Sequence, residues 1–320
     1  LKDKKTGLVV SAHDKMPGTK DEPFSVEKGA IQVDGLAAEF NIDPATSSDV
    51  FTHNIKKVMD QLQTKVGPGY ELLIEPTAMF DADYFKSIPE FNRTLGCSPD
   101  YNAWTGSINK APDGSVFQRA AGGHVHLGWG EKMDVNDSFH IEDCRKLARQ
   151  LDYYLAMYSL YWDKDKERRK MYGQAGCFRP KPYGMEYRTL SNSWLRTPQL
   201  QEWVFNAAYK AFNDLITGES CVEDKLGDKC VSVINNSEEW WNQKLDLYSL
   251  TELPTPPVPR EIKKRDKTLT SLQIRKAMAK HLDVSGYIAQ IYYDMAEGGT
   301  NLEAATRANT AIQKEFGISD

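Results

Sequence analysis

Four side chains in two short segments have the types and the spacing of a reactive site. His124 and His126 stand two residues apart, and so do Glu186 and Arg188. Both segments are predicted to be β-strands, in which side chains two residues apart point to the same face. Each strand therefore presents ionisable groups on one face, while the intervening side chains are mostly apolar.

Glu39 repeats this pattern in residues 36–42, where it interrupts an otherwise apolar strand. A carboxylate in such surroundings needs a partner, and a cation is the most economical one. We therefore expect the three strands to belong to one sheet, whose polar face forms a functional site.

The residue types leave the identity of a bound metal open. Carboxylate oxygens suit Mg²⁺ or Mn²⁺, and Mn²⁺ tolerates an imidazole more readily. Two histidines with two glutamates would also suit a catalytic Zn²⁺.

Glycine-rich nucleotide motifs are absent, because the sequence contains neither G-x-x-x-x-G-K-[ST] nor G-x-G-x-x-G after a strand. If the protein uses ATP, metal-bound carboxylates and cationic side chains must hold the phosphates. The cations in or beside the key segments are Arg119, Arg179, Arg188 and Lys20.

The elements that must position these residues favour an α+β fold. Strands and helices alternate irregularly up to about residue 218, with short turns that suit antiparallel pairing. Pro198 opens a predicted helix that Gly218 closes. We predict a catalytic core over residues 1–218 and a helical region over 219–320, with helices at 237–250 and 272–282.

Composition excludes several classes of protein. The net charge of −5 and the pI near 5.8 provide no basic field for nucleic acid or an anionic membrane. No apolar run approaches the ~20 residues that cross a bilayer. The five cysteines are odd in number and contain no C-x-x-C pair. We expect reduced thiols in the cytoplasm and no zinc site built from cysteine.

The beginning of the chain predicts a β-hairpin. A polar, turn-like stretch precedes the short apolar strand at residues 8–10. Because a hairpin needs a strand on each side of its turn, we expect the partner strand to lie upstream of Leu1.

Several segments together resemble the phage-type carboxylate-amine ligases, which are amidoligases of the glutamine synthetase and glutamate-cysteine ligase superfamily. They occur in the family's order and span about residues 8–250. The stretches that carry the resemblance are Pro17-Gly18-Thr19-Lys20, Gly29-Ala30-Ile31-Gln32-Val33-Asp34 with Ala38-Glu39-Phe40-Asn41, Pro99-Asp100-Tyr101-Asn102-Ala103-Trp104, Arg119 with Gly122-Gly123-His124-Val125-His126, and Tyr183-Gly184-Met185-Glu186-Tyr187-Arg188-Thr189 with Ser191-Asn192.

The resemblance implies a curved antiparallel sheet with flanking helices, whose concave face binds ATP and Mg²⁺ or Mn²⁺. Such enzymes phosphorylate a carboxylate with ATP, and an amine then attacks the acyl phosphate. The implied metal ligands are Glu39, Glu186 and one of His124 or His126, of which we take His124, and the implied catalytic residues are Glu39, Glu186 and Arg188. Nucleotide contacts are expected from Arg188, Arg179, Arg119, Lys20, His126 and Asn192.

The family usually begins with an acidic Asp-Pro-Glu strand that supplies a further metal ligand, and this sequence starts just after that place. Either those residues exist but lie outside this sequence, or this copy has lost them together with its activity. Two alternatives accompany the ligase, and a lost strand would favour the second. One is a zinc hydrolase that uses His124, His126 and a glutamate. The other is a degenerate ligase fold kept as a binding or structural phage protein. The expected substrates are small-molecule or peptide carboxylates and amines, and the expected location is the cytoplasm, that of the host if a phage encodes the protein.

Overall fold

The structure is a computed structural model that describes residues 1–93, 100–109, 117–218, 227–236 and 253–257. All of them belong to one compact unit, residues 1–259. The predicted helices at 237–250 and 272–282 lie outside the described residues, so the division at residue 218 stays a prediction.

Eleven strands are present in the described part of the chain. They are β1 (Lys2–Asp3), β2 (Phe24–Val26), β3 (Gly29–Asp34), β4 (Ala37–Ile42), β5 (Tyr70–Glu71), β6 (Thr77–Met79), β7 (Tyr101–Asn102), β8 (Gln118–Ala120), β9 (Val125–Gly128), β10 (Cys177–Lys181) and β11 (Gly184–Tyr187).

The helices alternate with these strands, as an α+β sequence predicts. They are α1 (Ser48–Val66), α2 (Ala82–Ser87), α3 (Glu90–Arg93), α4 (Ser138–Leu151), α5 (Met157–Ser159), α6 (Lys166–Met171), α7 (Pro198–Thr217) and α8 (Lys229–Asn235). A π-helical turn, Asp152–Ala156, joins α4 to α5, and a 3₁₀ turn, Asn192–Arg196, precedes α7.

All strand ladders of the described chain are antiparallel, which confirms that part of the prediction. The strand orders are β7-β10-β11-β9, β2-β3-β4, β1-β5 and β6-β8. The expectation of one sheet was wrong for Glu39, because β4 pairs with β3 whereas β9 and β11 belong to the four-stranded sheet. A tight turn at Gly35, whose φ is 58°, joins β3 and β4 into a hairpin, and β4 is the edge strand of that sheet.

The first hairpin also differs from the prediction. The amide of Asp3 donates to the carbonyl of Leu8 at 2.9 Å, and the amide of Val10 donates to the carbonyl of Leu1 at 2.9 Å. The strand at residues 8–10 therefore pairs with the first residues of this sequence. The expectation that its partner lies upstream of Leu1 was wrong.

The apolar face of the four-stranded sheet packs on helix α4, which lies against β10 and β11. Phe178, Met185 and Tyr187 point to this side and are buried with Leu147 and Leu151 of the helix. The opposite face of the same strands is consequently free to carry polar side chains.

Helix α7 begins and ends where the sequence predicts. Thr197 caps it by accepting a hydrogen bond from the amide of Leu200, Pro198 is its first residue, and Gly218 follows it in the left-handed conformation. This helix packs against α1 and α4, so it supports the core beneath the site.

Candidate functional site

The register of the four-stranded sheet gathers ionisable side chains on one face. Glu186 stands opposite Arg179 on one side and opposite His126 on the other. Strand alternation adds the residues two positions away on each strand. We call this set the charged face, and its members are Asp100, His124, His126, Arg179, Lys181, Glu186 and Arg188.

Glu186 lies at the centre of the charged face and is buried. Its Oε1 accepts hydrogen bonds from Arg188 Nη1 and from His124 Nδ1, the latter at 2.9 Å. Its Oε2 lies 2.9 Å from Lys181 Nζ and 3.9 Å from Arg179 Nη1. Burial alone would raise the pKa of Glu186, but the hydrogen bond with His124 and the charges around the carboxylate hold that pKa well below its usual range.

Asp100 is a second buried carboxylate of the charged face. One of its oxygens lies 2.6 Å from Arg188 Nε and 3.2 Å from Arg179 Nε. Desolvation raises the pKa of Asp100, although both guanidinium groups lower it.

Sequence reasoning missed Asp100 and Lys181 as site residues. Asp100 was visible within the Pro-Asp-Tyr-Asn stretch, and Lys181 stands two residues from Arg179 on a strand. Three cations, Arg179, Lys181 and Arg188, therefore surround two carboxylates. This excess of positive charge suits an anionic ligand.

His124 is held in its neutral form. Desolvation lowers the pKa of His124 to about 3, despite the opposing hydrogen bond with Glu186. At neutral pH the ring therefore carries one proton, and its Nδ1 lies 2.9 Å from Glu186 Oε1 and 3.1 Å from Arg188 Nη1. Its buried Nε2 has no hydrogen-bond partner among the described residues. A Cβ at Gly122 would collide with this nitrogen, so the position beside it must be glycine.

His126 lies at the exposed side of the charged face. Its Nδ1 is 2.5 Å from the hydroxyl of Tyr183. Burial, and then the charge of Glu186, raise the pKa of Tyr183 to about 12. The phenol therefore keeps its proton and can orient the imidazole.

Glu39 lies on the other sheet but within electrostatic range of the charged face. Burial is the first cause that raises the pKa of Glu39, and the charges of Asp34 and Glu186 raise it further. Gln32 donates a hydrogen bond to Glu39 at 3.2 Å, and Lys20 lies 3.8 Å from Asp34. The fold thus brings Glu39 and Lys20 towards the other predicted residues, although from a separate sheet.

Two predicted nucleotide contacts have other neighbours. Arg119 donates to the carbonyls of Gln118 at 2.8 Å and Arg93 at 2.6 Å, and its guanidinium lies 4.9 Å from the ring centroid of Phe85. These contacts hold Arg119 at the β6-β8 ladder and helix α2. Asn192 begins the 3₁₀ turn after β11, and its buried Oδ1 has no hydrogen-bond partner in the described part of the chain.

The predicted metal ligands do not form one metal-binding group. Within the described ranges, no three His, Cys, Asp or Glu side chains lie together as a metal site. Both oxygens of Glu186 face cations, which would repel a divalent ion placed there. Glu39 is the better fitted of the predicted carboxylates, because burial and the charges of Asp34 and Glu186 raise its pKa, which a divalent ion would offset, while Lys20 acts in the opposite direction.

Comparison with known proteins agrees with the resemblance seen in the sequence. Residues 112–217 match the model of a family described as phage phiEco32-like COOH.NH2 ligase-type 2. The matched segment contains six of the seven members of the charged face, from His124 to Arg188, and leaves out Asp100 and Glu39. No curated protein and no solved structure matches the chain. None of the helices in the described ranges is long and apolar enough to span a membrane.

Proposed function

We propose that the protein is an ATP-dependent carboxylate-amine ligase of glutamine synthetase-like fold, which forms an amide or peptide bond through an acyl phosphate. The observation that carries the proposal is the charged face, because three cations fixed by two carboxylates lie largely within the segment that matches the ligase family.

The first step would transfer the γ-phosphoryl group of ATP to a substrate carboxylate. A carboxylate oxygen forms a bond to phosphorus while the bond to the bridging oxygen breaks, and ADP leaves with that electron pair. Both reactants are anions, so their approach requires positive charge from the protein. Arg179, Lys181 and Arg188 supply it, and they are already oriented by Glu186 and Asp100 before any ligand binds.

In the second step the amine nitrogen would attack the acyl carbon, and inorganic phosphate leaves with the C–O electron pair. The nitrogen loses its surplus protons to solvent or to the departing phosphate. The same three cations would stabilise the phosphate as it leaves, so the same residues would act in both steps.

Mg²⁺ or Mn²⁺ would accompany the nucleotide and neutralise part of the charge on its phosphates. Glu39 is the predicted carboxylate that we expect to face such an ion, because it lies among the carboxylates Asp34 and Glu186, whereas both oxygens of Glu186 face cations. Lys20 and Asn192 are further candidates for nucleotide contacts, and His126 is a candidate at the exposed side.

We further propose that the enzyme acts in the cytoplasm, that of the host if a phage encodes it, on small-molecule or peptide carboxylates and amines. The cysteines, odd in number and without a C-x-x-C pair, support the compartment, and the acidic net charge disfavours nucleic acid or an anionic membrane as the partner.

The test uses the full chain with ATP, Mg²⁺ and hydroxylamine as the amine. Each common amino acid is offered in turn as the carboxylate. Because hydroxylamine converts an acyl phosphate into a hydroxamate, the expected result is ADP and hydroxamate released in equal amounts with at least one carboxylate. If ADP release needs no carboxylate, or if ATP does not bind, the ligase proposal is wrong.

Two other outcomes would identify the alternatives. Bound zinc together with ATP-independent hydrolysis would identify the hydrolase. The absence of both activities in the full chain would favour a binding or structural role.

A further inference from the structure

The guanidinium of Arg188 is held on three sides. Its Nη1 donates to Glu186, its Nε lies 2.6 Å from Asp100, and its Cζ lies 5.1 Å from the ring centroid of Tyr172. The two carboxylates meet the edges of the planar group. The aromatic ring approaches within the distance range of a cation–π contact.

Tyr172 directly follows helix α6, and its contacts at the site are made by its ring. The ring centroid lies 6.5 Å from that of His124 and 6.0 Å from Cζ of Arg168. The phenolic hydroxyl is buried and has no hydrogen-bond partner among the described residues. Tyr172 therefore contacts the site through its aromatic ring and not through its hydroxyl.

The backbone around Tyr172 is arranged to keep the ring in place. Its amide donates to the carbonyl of Arg168 at 2.5 Å. The side chain of Arg168 is fully buried and donates to the carbonyls of Ala121 and Leu190. Gly173 follows with a φ of +83°, and a Cβ there would collide with the guanidinium of Arg168. Immediately after Tyr172 the chain thus turns sharply against the buried side chain of Arg168.

We propose that Tyr172 is a positioning residue of the site, whose ring holds the plane of the Arg188 guanidinium in the orientation that meets Glu186 and Asp100. Neither the sequence pattern nor the family match assigns this role. The inference rests on the proposed function, because positioning Arg188 is useful only if that residue acts on an anionic group. The ring also keeps water from one side of the guanidinium, where screening would weaken its attraction for a phosphoryl group.

If the ring merely fills space, an aliphatic side chain of similar size should serve as well. Tyr172→Phe keeps the aromatic surface and removes the hydroxyl, whereas Tyr172→Leu removes the aromatic surface. Tyr209→Leu is the matched control, because Tyr209 lies exposed on helix α7 away from the charged face.

The first measurement is independent of any enzymatic activity. The full chain is labelled with ¹⁵N at arginine Nε, and the Arg188 signal is assigned by its loss in Arg188→Lys. In the folded wild type we expect a ring-current shift of the Arg188 Hε proton, which Tyr172→Phe and Tyr209→Leu retain and Tyr172→Leu loses. An unshifted Arg188 signal in the wild type overturns the proposal, even if Tyr172→Leu fails to fold.

The second measurement is kcat and KM for ATP in carboxylate-dependent ADP release. The loss of a desolvated cation–π contact changes an equilibrium constant by about tenfold or more. Tyr172→Leu should therefore lower kcat by about tenfold and change KM for ATP much less. Tyr172→Phe should restore most of the loss. Equal kcat values for the Leu and Phe variants would overturn the proposal. An inactive wild type with a shifted Arg188 signal would instead refute the ligase and leave the contact between Tyr172 and Arg188 in place.

Discussion

Replacing Glu186 by glutamine tests whether the charged face is a network that depends on its central carboxylate. The substitution keeps the size of the side chain and removes its charge. Asp100 then remains as the carboxylate beside Arg179 and Arg188, while Lys181 loses the carboxylate that lies 2.9 Å from its Nζ. The new amide also directs two N–H donors at groups that are donors themselves.

The magnitude follows from distance and burial. The 2.9 Å contact between Glu186 and Lys181 represents a gross attraction of about 6 kcal/mol at an effective dielectric constant of about 20. Much of this attraction offsets the cost of burying the charges. Removing one partner of a buried pair leaves that cost uncompensated, which typically lowers the free energy of unfolding by about 3–5 kcal/mol. We expect Glu186→Gln to lose an amount in this range at pH 7.

The pH dependence has a definite sign. The pKa of Glu186 is lowered by folding from an ordinary value of 4.5. Its stabilising contribution is therefore complete above pH 4.5 and is lost as the pH falls towards the folded pKa. The wild type should lose up to about 1.4 kcal/mol per pH unit from this group below pH 4.5. Glu186→Gln should lack that loss, so the difference between the two proteins should shrink in acid.

The assay is urea unfolding of the wild type and the variant between pH 3 and pH 7. The matched control is Glu142→Gln, because Glu142 is more than a third exposed and lies 3.4 Å from Arg145. A surface pair of this kind contributes about 0–1 kcal/mol. If Glu186→Gln is no less stable than Glu142→Gln at pH 7, the network does not stabilise the fold and the reasoning is refuted.

Three further predictions concern other residues. Arg188→Lys should lower kcat for ADP release by about 10² while changing KM for ATP less, because lysine cannot reproduce the planar contacts; a near wild-type kcat would contradict this role. Burial raises the pKa of the Cys144 and Cys177 thiols to about 12, so at pH 8 iodoacetamide should label both in urea and neither in the folded protein, as peptide mass analysis can check. Burial raises the pKa of Asp152 from 3.8 to about 6, so its stabilising contribution is complete below pH 3.8 and is lost as the pH rises through 6. The loss of unfolding free energy in Asp152→Asn should therefore be about 2 kcal/mol larger at pH 4 than at pH 7, and a difference independent of pH in urea unfolding would contradict this prediction.

Local rules in the sequence predicted the elements that carry the site. The alternation of apolar and ionisable residues placed His126 and Glu186 on the same face of their strands, and the sheet register confirms that they stand side by side. The capping residue Thr197 and the glycine at position 218 correctly predicted where helix α7 begins and ends. These features depend on neighbours within a few residues, so they can be read without knowledge of the fold.

Partners that are distant along the chain were decided only by the tertiary structure. Asp100 and Tyr172 meet Arg188 from two separate segments, and neither has a local pattern that predicts the contact. Glu39 was expected on the same sheet as Glu186, but its strand β4 is hydrogen-bonded to β3, whereas β11 is hydrogen-bonded to β9 and β10. Strand alternation fixes which side of a strand a residue occupies, whereas hydrogen bonding between strands fixes which strands share a sheet. The sequence by itself thus determined the residue types and faces of the charged site, and long-range pairing and packing decided which cations surround Glu186 and how Arg188 is oriented.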